Sequence, residues 1–437
     1  MTTDSPFKCL TMKRKLAKQM CAQWRSNVWL VVELMVVSVV LWYVNDYIFV
    51  RTAENLQDEG FDPAEVYLVK YRVGDVPDGA DTDSLTVAWA GELGRRIASR
   101  PDVECWSLDE YSTPYFRSNY GTSLYDVADS TASLGSSASL KVSMRLGFVT
   151  PGYFSVLRIG GINGETPAQM DSIIAAGKVI LSENVVYHEE PGARRGRPVA
   201  GELIGRRYTI DGVKRPVEAG ALMKPQLRST YESVRLSAQA YVPYGLFAYC
   251  SEPDLLVRLK EGASASKFIA DLTGPESGMY SVGGLYLSGV QPLDAVRRAS
   301  AAEEERTVNV HILAVIFLLL NVFLGLLGSF WFRTQRRTQE IAVRMVAGAR
   351  RRQVIARMIS EALLLLVIAT VPALCIDFMA GRAELLSTWE GSNFSMMRLW
   401  IAGAITFVQM AVMVVTGTAL PAWKAMRISP STALQCE

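Results

Sequence analysis

The sequence predicts a membrane protein with four transmembrane α-helices and a large α+β extracytoplasmic domain between the first and second. Three observations predict it. Four runs come close to the roughly 20 apolar residues that cross a hydrocarbon core, Lys and Arg gather on alternate connections, and the long stretch between the first two runs carries helix and strand periodicities in βαβ order. Hydrophobic residues make up 50% of the 437, high for a water-soluble chain, and the formal net charge of +2 is too small for a nucleic-acid partner.

The four spans are expected at residues 28–50, 307–332, 361–381 and 399–420. The third is the shortest and holds Pro372 and Asp377. Six basic residues between Lys8 and Arg25 precede the first span, and eight arginines from Arg333 to Arg357 follow the second. Positive charge stays on the cytoplasmic side of short loops, so both segments are expected there. Residues 51–306 and the loop 382–398 then lie outside, while the segments 1–27 and 421–437 lie inside. The first span reads as an uncleaved anchor, because it ends in Asn45-Asp46-Tyr47 without an A-x-A-like cleavage site.

Within residues 51–306, Glu65–Val73 reads as a strand, Asp83–Ser99 as an amphipathic helix and Val103–Leu108 as a strand. The same order recurs in Asp254–Lys260, Ala263–Leu272 and Ser281–Val290. Two such units predict a split, ferredoxin-like sheet. Strands at 178–181, 207–210 and 217–222 predict a β-rich inserted subdomain over about residues 165–245. From about Leu293 the chain lacks proline and strand signals, so the second span is expected to continue outward as a stalk helix.

After the second span comes RTQRRTQEIAVRMVAGARRRQVIARMISEALLLL, residues 333–366. It resembles the signature of the FtsX-like, MacB-type permeases of the type VII ABC transporters, matching in register at Arg337, Glu340, Ile341, Ala342, Val343, Arg344, Gly348, Ala349, Arg351 and Val354. Val346 stands where that family usually has alanine. The tail is similar to the family's closing motif through Pro421, Ala422, Ala425, Pro430, Ala433 and Leu434, and VTPGYFSVLRIGGINGE (Val149–Glu165) is similar to a motif of the MacB-like periplasmic core domain, departing at Gly164-Glu165.

The resemblance implies an inner-membrane permease subunit with cytoplasmic termini, working as a dimer with a second copy or a paralogue in membrane lipid. A cytoplasmic ABC ATPase would drive it, with a periplasmic adaptor as a further partner. It implies mechanotransmission, in which ATP hydrolysis by the partner moves the outer domain to export a toxic compound or peptide, or to release lipoproteins. The alternative is an FtsX-like regulatory complex that controls cell-wall hydrolases or reports antibiotic binding to a kinase.

Residues 333–360 are then the coupling segment, with Arg337, Glu340, Ile341, Arg344, Met345, Gly348 and Arg351 as the candidate ATPase-coupling residues. Apolar residues among arginines with a glycine turn suit an element at the membrane surface, although a basic loop that only sets topology has the same composition.

No enzymatic role is expected. No GxxxxGK[ST] loop occurs, so ATP is expected on the partner chain and no cofactor here. Ser182-Glu183 and His188 lack a nucleophile-elbow context, and with two histidines and no CxxC pair a metal site is not expected. Glu33 lies inside the first span, where an ionisable residue is costly; packing or a polar contact with a neighbouring helix both explain it, and Asp377, Asn321 and Gln409 are similar cases. Of the six cysteines only Cys105 and Cys250 are expected to face an oxidising compartment, and the sequence leaves both the paired and the free state open.

Overall fold

The computed structural model describes residues 24–77, 79–116, 120–127, 142–187, 197–198, 200–227, 231, 238–247, 251–336, 348, 350–383 and 394–425. The chain forms two compact units, Ala53–Glu305 and the pair of segments Met1–Thr52 and Arg306–Glu437.

Helix α1 is Trp24–Asn55. Beyond it, β1 (Val66–Val73), α2 (Thr82–Ala98) and β2 (Val103–Glu110) form the first βαβ unit. The connection that follows carries β3 (Tyr120–Asp126), β4 (Val142–Val149), α3 (Tyr153–Leu157), α4 (Pro167–Ala175), β5 (Val179–Ser182), β6 (Val186–Tyr187), β7 (Arg197–Pro198), α5 (Ala200–Leu203), β8 (Arg207–Ile210), β9 (Val217–Met223) and β10 (Gln239–Pro243). The second unit is β11 (Asp254–Leu259), α6 (Ala265–Thr273) and β12 (Leu285–Pro292), after which come α7 (Leu293–Arg336), α8 (Arg351–Arg382) and α9 (Met396–Ala425).

The strand order β12-β1-β11-β2, antiparallel throughout, is the ferredoxin-like arrangement that the two βαβ units predict. Alternation along β1 explains its central place: Val66 and Leu68 enter one core and Tyr67 and Val69 the other. Helices α2 and α6 cover one face, burying Ala90, Leu93, Ile97, Phe268 and Leu272. Gly94 of α2 has a steric reason, since a Cβ there would sit 2.1 Å from the Trp106 ring on β2.

The inserted strands do not form a separate layer. Strand β4 pairs with β2 and so extends the sheet, and β10 pairs with both β5 and β4. The six strands β4-β3-β8-β9-β5-β10 therefore close on themselves as a small barrel. Closure removes sheet edges and leaves an interior just filled by side chains. Phe148 and Phe247 stack there at 3.7 Å, among Leu146, Leu181, Ile210 and Val242. The barrel takes two staves, β3 and β4, from ahead of residue 165, where no strand is expected from the sequence.

Among the described residues four helices are long and apolar enough to cross a membrane: Val28–Asn55, Leu293–Ser329, Arg352–Arg382 and Met396–Trp423. Leu34 and Leu41 of α1, Val322 and Leu326 of α7, Leu365 and Leu366 of α8, and Met410 and Val414 of α9 share one core. Small residues bring the backbones close. At Gly417 an added Cβ would meet Leu326 Cβ at 3.3 Å. Outward, α7 leaves Leu313, Ile316, Phe317, Leu320 and Leu324 exposed, the side-chain set expected against lipid. The first helix runs past the expected end at residue 50, because Asn45 and Asp46 are buried and partnered rather than marking an exit into water.

Candidate functional site

The coupling segment is bounded by the end of α7 at Arg336 and the start of α8 at Arg351. Arg337, Glu340, Ile341, Arg344 and Met345 lie outside the described residues. Gly348 has φ +92°, and a Cβ added there would meet nothing within 4 Å, so this glycine answers a backbone demand and not a crowded one. Arg350 then takes the N-cap position of α8, its N–H donating to Gln353 Oε1 at 3.0 Å. Arg351 is the first helical residue. One turn on, Arg357 Nε donates to Glu361 Oε1 at 3.4 Å. A left-handed glycine thus stands two residues ahead of the first helical turn's N-cap, Arg350.

Glu33 is half-buried on α1 and faces α7, where Gly325 makes the room: a Cβ on Gly325 would lie 2.7 Å from Glu33 Oε1. Asn321, on the same helix one turn earlier, is exposed and donates to Phe317 O at 2.8 Å. Gln409 accepts at Oε1 from Asn45 Nδ2 at 2.8 Å, and the same amide nitrogen donates to Thr406 Oγ1 at 2.9 Å. Asp377 of α8 is 3% exposed.

The largest polar feature of the helical unit was missed in the sequence. Asp46 of α1 and Arg398 of α9, both buried, form a two-pronged ion pair, with Arg398 Nε donating to Asp46 Oδ1 at 3.0 Å and a second guanidinium N–H donating to Oδ2. Beside it Trp42 Nε1 donates to Leu399 O at 3.2 Å. The guanidinium fork matches a carboxylate in plane, which is the geometry that sustains a buried pair. A usable signal was present. Asp46 near the end of one apolar run and Arg398 at the start of another share a membrane side in any topology with even crossings between them, and ionisable residues at such depth seek each other.

The Val149–Glu165 motif proves to be a packing lock. Thr150 Oγ1 accepts from Leu108 N–H at 2.8 Å, tying the end of β4 to β2. Gly152 sits at φ +111°, and a Cβ there would meet Trp106 O at 2.4 Å. Tyr153 and Phe154 are fully buried, and the Tyr153 hydroxyl donates to Ser112 O at 2.7 Å. Asp171 of α4 caps the first turn of α3 by accepting from Phe154 N–H and Ser155 N–H, both at 3.0 Å. At the departure from the motif, Glu165 Oε2 accepts from Asn163 N–H at 3.1 Å, closing a tight turn through Gly164 at φ +92°.

Ser182 is buried with its oxygen accepting from Gln239 N–H at 2.7 Å, so it serves the barrel seam, and His188 lies outside the described residues. Cys105 is a half-buried free thiol, pushed up to about 11 chiefly by burial and then by Glu104. Cys250 lies outside the described residues.

Comparison with known proteins places these elements. Residues 312–430 match the family model described as FtsX-like permease C-terminal. A stretch of 128 residues, 29% of the chain, is 32% identical to the pyoverdine export ATP-binding/permease protein PvdT of Pseudomonas fluorescens (strain Pf0-1) and spans 18% of that protein's length. Among solved structures, the periplasmic region of MacB from Actinobacillus actinomycetemcomitans is 11% identical, with 56% of this chain and 96% of that one covered at a TM-score of 0.32. The extracellular domain of the ABC-type transporter YknZ from Gram-positive bacteria is 13% identical, with 51% and 100% covered at 0.29. With four helices long and apolar enough to cross a membrane, the chain is a multi-pass membrane protein whose residues 312–430 match the FtsX-like permease C-terminal family.

Proposed function

We propose that the chain is the permease subunit of an ABC transporter in the inner membrane, with cytoplasmic termini, and that it passes the work of a separate cytoplasmic ATPase to its residues 53–305. The observation that carries this reading is the position of the family match. It runs from within α7 to beyond α9 and so includes the arginine-rich connection between α7 and α8. The 437 residues hold no Walker A loop, and in this reading ATP is bound and hydrolysed on a partner polypeptide. Pyoverdine export, for which the Pseudomonas relative is named, favours export of a small compound or peptide; lipoprotein release fits the same mechanics. Two permease copies or paralogues, lipid and a periplasmic adaptor complete the assembly in this reading.

The coupling contact is assigned to Arg337, Glu340, Ile341, Arg344, Met345, Gly348 and Arg351. Apolar residues fill a groove on the ATPase, while Glu340 and Arg344 set register. Interface anchors cost roughly 1–4 kcal/mol when truncated, whereas surface substitutions usually fall within about 0.5 kcal/mol. Glu340→Ala with Arg344→Ala is therefore expected to lower capture of the ATPase, or its stimulated turnover, at least about tenfold. The variant must insert normally, checked by membrane fractionation. Coupling equal to the parent in an inserted variant removes the segment from the mechanism, and ATP hydrolysis by the purified chain alone removes the subunit assignment.

A further inference from the structure

Three membrane helices meet around a small cavity lined by Ser38 and Trp42 of α1, Thr370 and Asp377 of α8, and Gly403 and Thr406 of α9. Its room is on the order of one water molecule. Asp377 is 3% exposed, and among the described residues its carboxylate makes no hydrogen bond or ion pair.

The N–H donors nearby are engaged elsewhere. Trp42 Nε1 donates to Leu399 O, Asn45 Nδ2 donates to Thr406 Oγ1 and Gln409 Oε1, and the Arg398 fork is turned to Asp46. The Thr370 hydroxyl hydrogen goes to Leu366 O at 2.8 Å, which leaves its oxygen lone pairs toward the cavity as acceptors. The charged group that acts on Asp377 is a second acid, Asp46 of α1, which is itself paired with Arg398 of α9; α7 contributes no residue to the lining. Among the described residues the group thus has two carboxyls and one guanidinium. An uncompensated carboxylate among apolar helices is strongly disfavoured, so the arrangement calls for one more positive charge.

We propose that Asp377, with the hydroxyl oxygens of Ser38, Thr370 and Thr406, forms an intramembrane site that takes up a single monovalent positive charge, either a proton on the Asp377 carboxyl or a dehydrated sodium ion. Carboxylate and hydroxyl oxygens are the ligands that a hard cation selects, and the site's size admits one small ion. This assignment does not depend on the ATPase reading, because it concerns only what the helical unit holds.

The test uses the full chain in lipid nanodiscs. In the sodium arm, the thermal unfolding midpoint is followed as sodium chloride replaces choline chloride at constant ionic strength. Sodium bound to the folded state alone raises the midpoint in proportion to the logarithm of its excess over the dissociation constant. In the proton arm, infrared spectroscopy at neutral pH looks for the C=O stretch of a protonated carboxyl. A sodium-dependent rise that is lost in Asp377→Asn identifies sodium. A protonated-carboxyl band that is lost in Asp377→Asn, without a sodium response, identifies the proton. If the wild type shows neither a sodium response nor such a band, the proposal is overturned. Where Asp377→Asn does not insert, Ser38→Ala with Thr370→Val keeps the acid and removes two oxygens. That variant is expected to weaken the sodium response about tenfold or to shift the carboxyl band, and an unchanged response and band overturn the proposal equally.

Discussion

Asp254 opens β11 directly opposite Asp109 of β2, and a single hydroxyl, Thr113 Oγ1, lies 2.8 Å from Asp254 Oδ2 and 2.7 Å from Asp109 Oδ1. One hydroxyl hydrogen serves one acceptor well, so the two carboxyls compete for it. Burial raises the Asp254 carboxyl above its ordinary value; the Thr113 bond and Lys70 oppose that rise, and Glu110 adds to it. A carboxyl raised on folding binds its proton more tightly in the folded chain than in the unfolded one. Its contribution to stability is therefore least favourable at pH above the folded value and recovers as pH falls toward about 4, the unfolded range. Asp254→Asn removes the buried charge and adds an N–H donor at this position. It is expected to stabilise the protein at pH 7 by about 1 kcal/mol and to flatten the pH dependence above pH 4, as read by denaturant titrations of the full chain across pH. A variant less stable than the parent at pH 7 contradicts this account. Nothing in the sequence pointed to it, because the pairing depends on the register of two strands more than a hundred positions apart, which local periodicity does not encode.

The membrane helices and the two βαβ units were legible because each rests on a local signal, an apolar run or a helix-to-strand change of period. The barrel was only half legible. Strands β5, β8 and β9 showed as strand-like stretches, but β3 (YGTSLYD) is largely polar and β10 (QAYVP) ends in proline, and they become strands through the partners that close the ring. The helix-to-helix contacts were less legible still. The join of α1 to α9 through Asp46 and Arg398 appeared only as two charges at span ends. Removing one partner of a buried pair typically costs about 3–5 kcal/mol, because the other loses its counter-charge in a low-dielectric setting. Asp46→Ala is therefore expected to lower the stability of the reconstituted protein by about 3 kcal/mol, with Asp46→Ala, Arg398→Met together costing clearly less than the sum of the single changes. A double-mutant cycle by denaturant or thermal unfolding measures the coupling. Additive losses would mean that the pair holds nothing between α1 and α9.

At the scale of the whole molecule, the arrangement of the chain across the bilayer follows from the crossings and from where the arginines lie. Helix α7 carries one membrane-crossing run, so the residues between α1 and α7 emerge on the opposite side from those between α7 and α8. The latter segment holds Arg337, Arg344 and Arg350, and a short loop so basic is expected on the cytoplasmic side. Residues 53–305 are then expected on the other side, since a domain of this size is translocated regardless of its own charge. Single cysteines placed at Ser133 and Gln335 in a cysteine-free background report the two sides. Ser133 is expected to react with a membrane-impermeant maleimide applied from outside, and Gln335 only after the cytoplasmic face is opened. The rule behind this is a charge effect, so it carries its own control: replacing Arg344, Arg350 and Arg351 by glutamine weakens the retention signal and is expected to raise the fraction of inverted molecules, seen as outside labelling at Gln335. Labelling of both sites from one side in the parent protein would break the crossing count itself, and with it the assignment of the basic segment to the compartment where an ATPase could meet it.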